Sequence, residues 1–190
     1  MVINYFGNGC FRLQSGETSI LLDSDNNRLK ADVSLKTLAP TDTIDEVGDE
    51  GVSISFPGEF EIKGIEINGY QIEKESTDKF LKTAYVVEWE EMKFVFLGHL
   101  SQPVDATLTE EFSEPDILFL PIGGDHYLEP DVAAKIAKQL EARIVIPSFY
   151  KSPAEFLKAF GKKGEEMDKL VFKKKDIETD KGRVVVLKAA

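Results

Sequence analysis

At 190 residues, 42% hydrophobic and 30% charged, the chain is long enough to bury one sizeable core and too rich in apolar residues to stay disordered. Its 23 basic and 34 acidic residues leave a formal charge of −11, which repels phosphate backbones and argues against nucleic acid as a partner. The N-terminus has no basic leader and no long apolar stretch follows, so neither a signal peptide nor a membrane span is expected; with a single cysteine, no intrachain disulfide can form, and the cytoplasm is the expected compartment.

The first half reads as short strands cut by turns. Residues 2–14 give two of them around Gly7-Asn8-Gly9, and Ser19-Ile20-Leu21-Leu22-Asp23 gives a third that ends in an acid. Further turns at Gln14-Ser15-Gly16, Asp25-Asn26-Asn27, Gly48-Asp49-Glu50-Gly51 and Asn68-Gly69 predict a largely antiparallel layer. Cys10, between Gly9 and Phe11, has no histidine nearby in sequence to activate it and reads as a buried structural thiol. Tyr85–Trp89 and Phe94–Leu97, joined by residues 90–93, form a hairpin apolar on both faces, which predicts a central pair with Trp89 in the core.

Helices enter in the second half. Pro130 suits a first helical position, and Val132, Ala133, Ile136, Ala137 and Leu140 recur as one apolar stripe. That helix links the strand ending at Pro121-Ile122 to the strand 143–147, a unit that favours a parallel pair. Ser152 and Glu155 have capping-box spacing and open a helix that Gly161 stops. Residues 183–187 form a last strand. The short basic runs Lys162-Lys163 and Lys173-Lys174-Lys175 read as solvated faces. This order predicts an α/β (α+β) domain, residues 1–190, of two sheets flanked by helices.

Six segments carry a family resemblance. They are residues 2–14 followed by Ser19–Asp23; Ala31–Thr37 followed by Leu38-Ala39-Pro40-Thr41-Asp42-Thr43; Pro57-Gly58-Glu59-Phe60-Glu61-Ile62-Lys63-Gly64; Leu97-Gly98-His99-Leu100; Asp116–Gly124; and Ile144–Tyr150. Together they resemble the metallo-β-lactamase superfamily, in the branch that includes the ascorbate-6-phosphate lactonases; the octapeptide at Pro57 is the most specific match. The resemblance implies an αβ/βα sandwich with histidine-held metals at one edge. On its register the histidine ligands fall on Leu38, Pro40, Thr43 and Phe149, the ligand-loop aspartate survives as Asp42, and His99 stands where an aspartate would bridge two metals. The whole chain has two histidines, His99 and His126, and one cysteine. A catalytic zinc needs about three protein ligands, so a histidine-rich dinuclear centre cannot be assembled from one subunit. No metal and no other cofactor is expected.

If the resemblance holds, the loops after the strands containing Thr37, Leu97, Leu120 and Ile146 converge, and Asp42, His99, Asp125 and His126 become neighbours, with Glu59 at the loop edge. Each also has a plain structural reading: a turn or cap for Asp42, a hydrogen-bonded loop histidine for His99, a chain turn for Asp125-His126 after Gly123-Gly124, and strand-edge solvation for Glu59. The leading expectation is a pseudoenzyme, a binding or assembly module for an unidentified small molecule or protein, in which apolar residues have filled the metal cavity. One alternative is a hydrolase with a rebuilt single-metal or metal-free site around His99. The other is a non-catalytic partner subunit of an intact relative. Self-association is compatible with all three.

Overall fold

The computed structural model describes residues 1–26, 28–43, 46–48 and 51–190. The first half contributes β1 (Val2–Tyr5), β2 (Phe11–Ser15), β3 (Thr18–Leu22), β4 (Val33–Leu35), β5 (Leu38–Pro40), β6 (Glu46–Gly48), β7 (Gly51–Ile54), β8 (Gly58–Ile62), β9 (Ile65–Gln71), β10 (Phe80–Trp89) and β11 (Met92–Phe96). The second adds α1 (Ala106–Glu111), β12 (Ile117–Pro121), α2 (Pro130–Gln139), β13 (Ile144–Ser148), α3 (Ala154–Phe160), β14 (Gly164–Met167), β15 (Lys169–Val171), α4 (Lys174–Ile177) and β16 (Arg183–Leu187). Among the described residues these strands form two sheets. One runs β15-β1-β2-β3-β4-β7-β6; the other runs β14-β16-β13-β12-β11-β10-β9-β8, with β5 paired to β10 off that path.

The hairpin predicted from Tyr85–Leu97 is the centre of the second sheet. Tyr85, Val87, Trp89, Phe94 and Phe96 point into the core between the sheets, where Phe11, Leu13, Ile20 and Leu35 of the first sheet meet them. Ala84, Val86, Val95 and Leu97 point the other way, into a second core covered by α2 and by Phe156 and Phe160 of α3. Full burial of each large apolar side chain contributes about 1.5–3 kcal/mol, so an element buried on both faces dominates the packing. The connection is tighter than the four residues read from sequence. Glu90 and Glu91 alone make the turn, with φ of 52° and 60°, and Met92 already pairs with Trp89.

The largely antiparallel layer read from the first half is present: in the first sheet β1-β15, β1-β2, β2-β3 and β6-β7 are antiparallel, and β3-β4 and β4-β7 add parallel pairs. In the second sheet β11, β12 and β13 run parallel, as the strand-helix-strand reading of α2 required. The helix buries Ala133, Ala134, Ile136 and Ala137. The capping box at Ser152 does not form. Pro153, in helical conformation, occupies the cap position, so Glu155 sits one place too early to reach back, and Ser152 Oγ only accepts from the Ala154 amide at 3.3 Å. Gly161, left-handed at φ 76°, ends that helix as expected. Among the described residues no helix is long and apolar enough to cross a membrane.

Candidate functional site

Parallel pairing brings the ends of β3 and β4 to one edge of the first sheet, and the ends of β11, β12 and β13 to one edge of the second. Asp23 follows β3, Thr37 follows β4, His99 follows β11 and Phe149 follows β13. Asp23 adopts a left-handed φ of 42°, which an aspartate tolerates better than most residues, and its amide donates to Leu35 O at 2.9 Å. Its carboxylate turns inward. Oδ1 accepts from the Thr37 amide at 2.7 Å and Oδ2 from the Thr37 hydroxyl at 2.6 Å.

Thr37 Oγ1 lies 2.7 Å from His99 Nδ1. A threonine hydroxyl has one proton, and here it goes to Asp23, so its lone pair receives the proton on His99 Nδ1. That bond selects the tautomer and leaves Nε2 as an acceptor. The approach depends on Gly98, at φ 49°: a Cβ there would stand 2.1 Å from Thr37 Oγ1. Burial pushes the Asp23 carboxyl above its ordinary value, more than the nearby His99 and the Thr37 bonds pull it down. Burial likewise pushes His99 below its ordinary value, against the pull of Asp23.

Rings close the site on its other side. His99 lies 4.7 Å from the Phe149 ring and 5.9 Å from Tyr127, and Phe149 stacks on Tyr127 at 4.4 Å. Phe149 has a left-handed φ of 54°. Its ring occupies the space of an absent side chain: a Cβ on Gly9 would lie 2.0 Å from the ring, and one on Gly123 1.8 Å from the Phe149 carbonyl oxygen. Beside this stack opens a cleft of about 630 Å³ lined by Tyr5, Asn8, Tyr127, Phe149, Tyr150 and Lys151, among others.

Of the residues singled out in the sequence, His99 alone joins the Asp23–Thr37 hydrogen bonds, and Phe149 packs against it. Asp42 is exposed in a turn whose neighbours are fixed elsewhere: Thr41 N and Oγ1 donate to Lys79 O and Asp78 O, and Thr43 N donates to Pro40 O. Asp125 and His126 line the cleft, but both side chains are 88% exposed, with 3.9 Å between His126 Nε2 and Asp125 Oδ2. The convergence expected of Asp42, His99, Asp125 and His126 is thus not seen as a bonded cluster; the loops carry the exposed residues outward. Glu59 is exposed on the edge strand β8. Leu38 and Pro40 lie in β5, paired with Lys82 and Phe80 of β10, so this stretch is sheet rather than ligand loop. Asp23, Thr37 and Tyr127 were missed. Asp23 had a signal, an acid closing an apolar strand; Thr37 had none without its partners.

The donor set does not fit a histidine-held metal centre. Leu38, Pro40 and Phe149 offer no ligand atom, and Asp23 and His99 Nδ1 are already committed to Thr37. Among the described residues no three His, Cys, Asp or Glu side chains are gathered so as to hold a metal ion.

Residues 2–148 match the family described as the beta-lactamase superfamily domain. The chain belongs to that superfamily. A solved structure from Thermotoga maritima, assigned to the Zn-dependent hydrolases of the metallo-β-lactamase superfamily, is similar over 98% of this chain and 97% of its own, with a TM-score of 0.79 and 27% identity. The metallo hydrolase Igni18 of Ignicoccus hospitalis shares the superfamily fold, with a TM-score of 0.65 and 16% identity over 100% and 95% of the two chains. A UPF0173 metal-dependent hydrolase of Thermococcus onnurineus is 35% identical over 89 residues, 43% of this chain. That match spans only 40% of the relative's length. The superfamily domain therefore has relatives named for metal-dependent hydrolysis.

Proposed function

We propose that this chain is a one-domain member of the superfamily that has exchanged its metal centre for a packed, metal-free edge, and that it serves as a non-catalytic binding or assembly module. The observation that carries this reading is Phe149. At the position where the resemblance implies a ligand histidine, its ring stacks on Tyr127, touches His99 and fills the gap left by Gly9. Burying apolar surface there is favourable, whereas an unliganded imidazole cluster would be desolvated for no return. The chemistry lost with a zinc ion, a water acidified to a pKa of roughly 7 and a polarised substrate oxygen, has no substitute among these side chains. The aromatic-walled cleft beside Phe149 is the surface such a module would use.

Elemental analysis of the untagged protein tests the reading. Less than roughly 0.1 equivalent of any transition metal per chain, together with a melting temperature unchanged by a chelator, is the expected result. A stoichiometric metal that the chelator removes with loss of stability would overturn it.

A second reading rests on His99. Its Nδ1 is fixed by Thr37 and its side chain is 20% exposed, so Nε2 is a candidate general base for metal-free hydrolysis. A hydrolytic activity found in the purified protein and abolished in a folded His99→Ala variant would favour it; turnover that survives the change would exclude it.

A further inference from the structure

The cleft beside Phe149 is walled by four aromatic residues, Tyr5, Tyr127, Phe149 and Tyr150. Tyr127 and Phe149 are half-buried and stacked, so the pair turns part of its ring surface to the opening. Tyr5 lies deeper. Its ring stacks on Phe11 of the core at 4.6 Å, only 8% of the residue is exposed, and that remainder borders the cleft. A volume of about 630 Å³ suits a small organic molecule.

The Tyr5 hydroxyl is served on one side only. Burial pushes its phenol up, against the backbone amides of Gly9, Phe149 and Asn8 that face its oxygen, so it keeps its proton. Among the described residues that proton meets no acceptor, a state that folded proteins rarely leave in a buried donor. Tyr150, pushed up to about 12 by burial and by nearby Tyr5 and Glu166, is a second neutral donor. The charged groups of the lining stand at the rim. Asp125 and Glu155 are exposed there with Lys151, in a chain of net charge −11, a balance that disfavours an anionic ligand.

We propose, resting on the metal-free reading of this edge, that the cleft binds an uncharged planar heteroaromatic molecule, its ring packed on the Tyr127–Phe149 wall and a ring acceptor taking the Tyr5 proton. A flat ring gains from offset stacking beyond the area it buries. The acceptor fixes its orientation, as a few placed polar groups do in apolar pockets, and supplies what the Tyr5 hydroxyl lacks. A purely hydrocarbon ring would leave that proton unmet, and an anionic one would approach Asp125 and Glu155.

The test is an NMR titration of the full chain at neutral pH with benzimidazole and, separately, indole, two uncharged rings of one shape of which only the first has an acceptor nitrogen. Saturable shifts of the Gly9, Gly123 and Phe149 amides with benzimidazole are expected, with affinity roughly fivefold or more weaker in Tyr5→Phe while indole binds both proteins alike. Absence of saturable benzimidazole binding, or equal affinity in a folded Tyr5→Phe, overturns the proposal. Should Tyr5→Phe fail to fold, the parent protein decides: benzimidazole must bind roughly fivefold or more tightly than indole, and equal affinities overturn it. Metal content measured on the same sample keeps two failures apart. A stoichiometric metal overturns the metal-free reading, whereas metal-free protein that binds no benzimidazole overturns the ligand class alone.

Discussion

Two polar networks hold the loop that follows β11, and they differ in how they treat charge. At His99 the loop is bonded to Thr37 and through it to Asp23, a pair whose charged forms burial disfavours. Two residues on, the amides of Ser101 and Gln102 and the Ser101 hydroxyl all bond to the Glu75 carboxylate, which also takes the Lys82 ammonium at 2.6 Å. Burial pushes Glu75 up, yet Lys82 and the Ser101 and Gln102 donors outweigh it and hold the carboxyl below its ordinary value. One network keeps a fixed charge by surrounding it with donors. The other has fewer donors, and burial prevails over attraction.

That contrast can be broken from the Glu75 end with the largest effect. Glu75→Ala leaves Lys82, 18% exposed, without its partner and frees the loop amides, which should cost about 3 kcal/mol in chemical denaturation. A cost below about 1 kcal/mol would mean that the loop is held mainly by His99. Thr37→Val, nearly the same shape, removes the hydroxyl that joins Asp23 to His99 and should cost about 2 kcal/mol; nitrogen NMR of the imidazole should show loss of the single tautomer.

The signs of the pH dependence also differ. Glu75, depressed, stabilises the fold above the ordinary carboxyl value of 4.5, and this contribution is lost as pH falls through its lower folded value. His99, depressed from 6.5, resists protonation in the folded state, so stability begins to fall once pH drops below 6.5. Asp23, raised from 3.8, works in the opposite sense: the folded state keeps its proton longer, and stability declines as pH rises from 3.8 through the folded value. His99→Gln should therefore flatten the stability profile just below pH 6.5 while leaving the loss near and below pH 4.5 in place; a profile unchanged below 6.5 would contradict the assignment. The smallest effect is expected from His126→Ala, within about 0.5 kcal/mol of the parent, since that ring is 88% exposed and outside both networks.

The sequence exposed what repeats and hid what meets across distance. The two-faced hairpin β10-β11 and the α2 stripe were legible because burial imposes a period on adjacent residues. The cap at Ser152 was misread because Pro153 took the cap position, and the turn at Glu90-Glu91 because neither residue is a glycine although both have positive φ. At the site, Leu38, Pro40 and Phe149 stood out by what they replaced in the resemblance. The bonds that define it span 14 residues from Asp23 to Thr37 and 62 from Thr37 to His99, and no local pattern reports such a meeting. The role of Phe149 needed Gly9 and Tyr127 beside it.

The pairing of β1 with β15 sets an order in time. Val2, Ile3 and Asn4 lie opposite Val171, Leu170 and Lys169, so one edge of β1 waits for a strand that follows β2 to β14 in the chain. Until then β1 has only β2 to pair with, and its other edge remains an open template for a foreign strand. The first sheet can begin to collapse early but closes only once β15 has been made, and a contact so distant in sequence should slow folding.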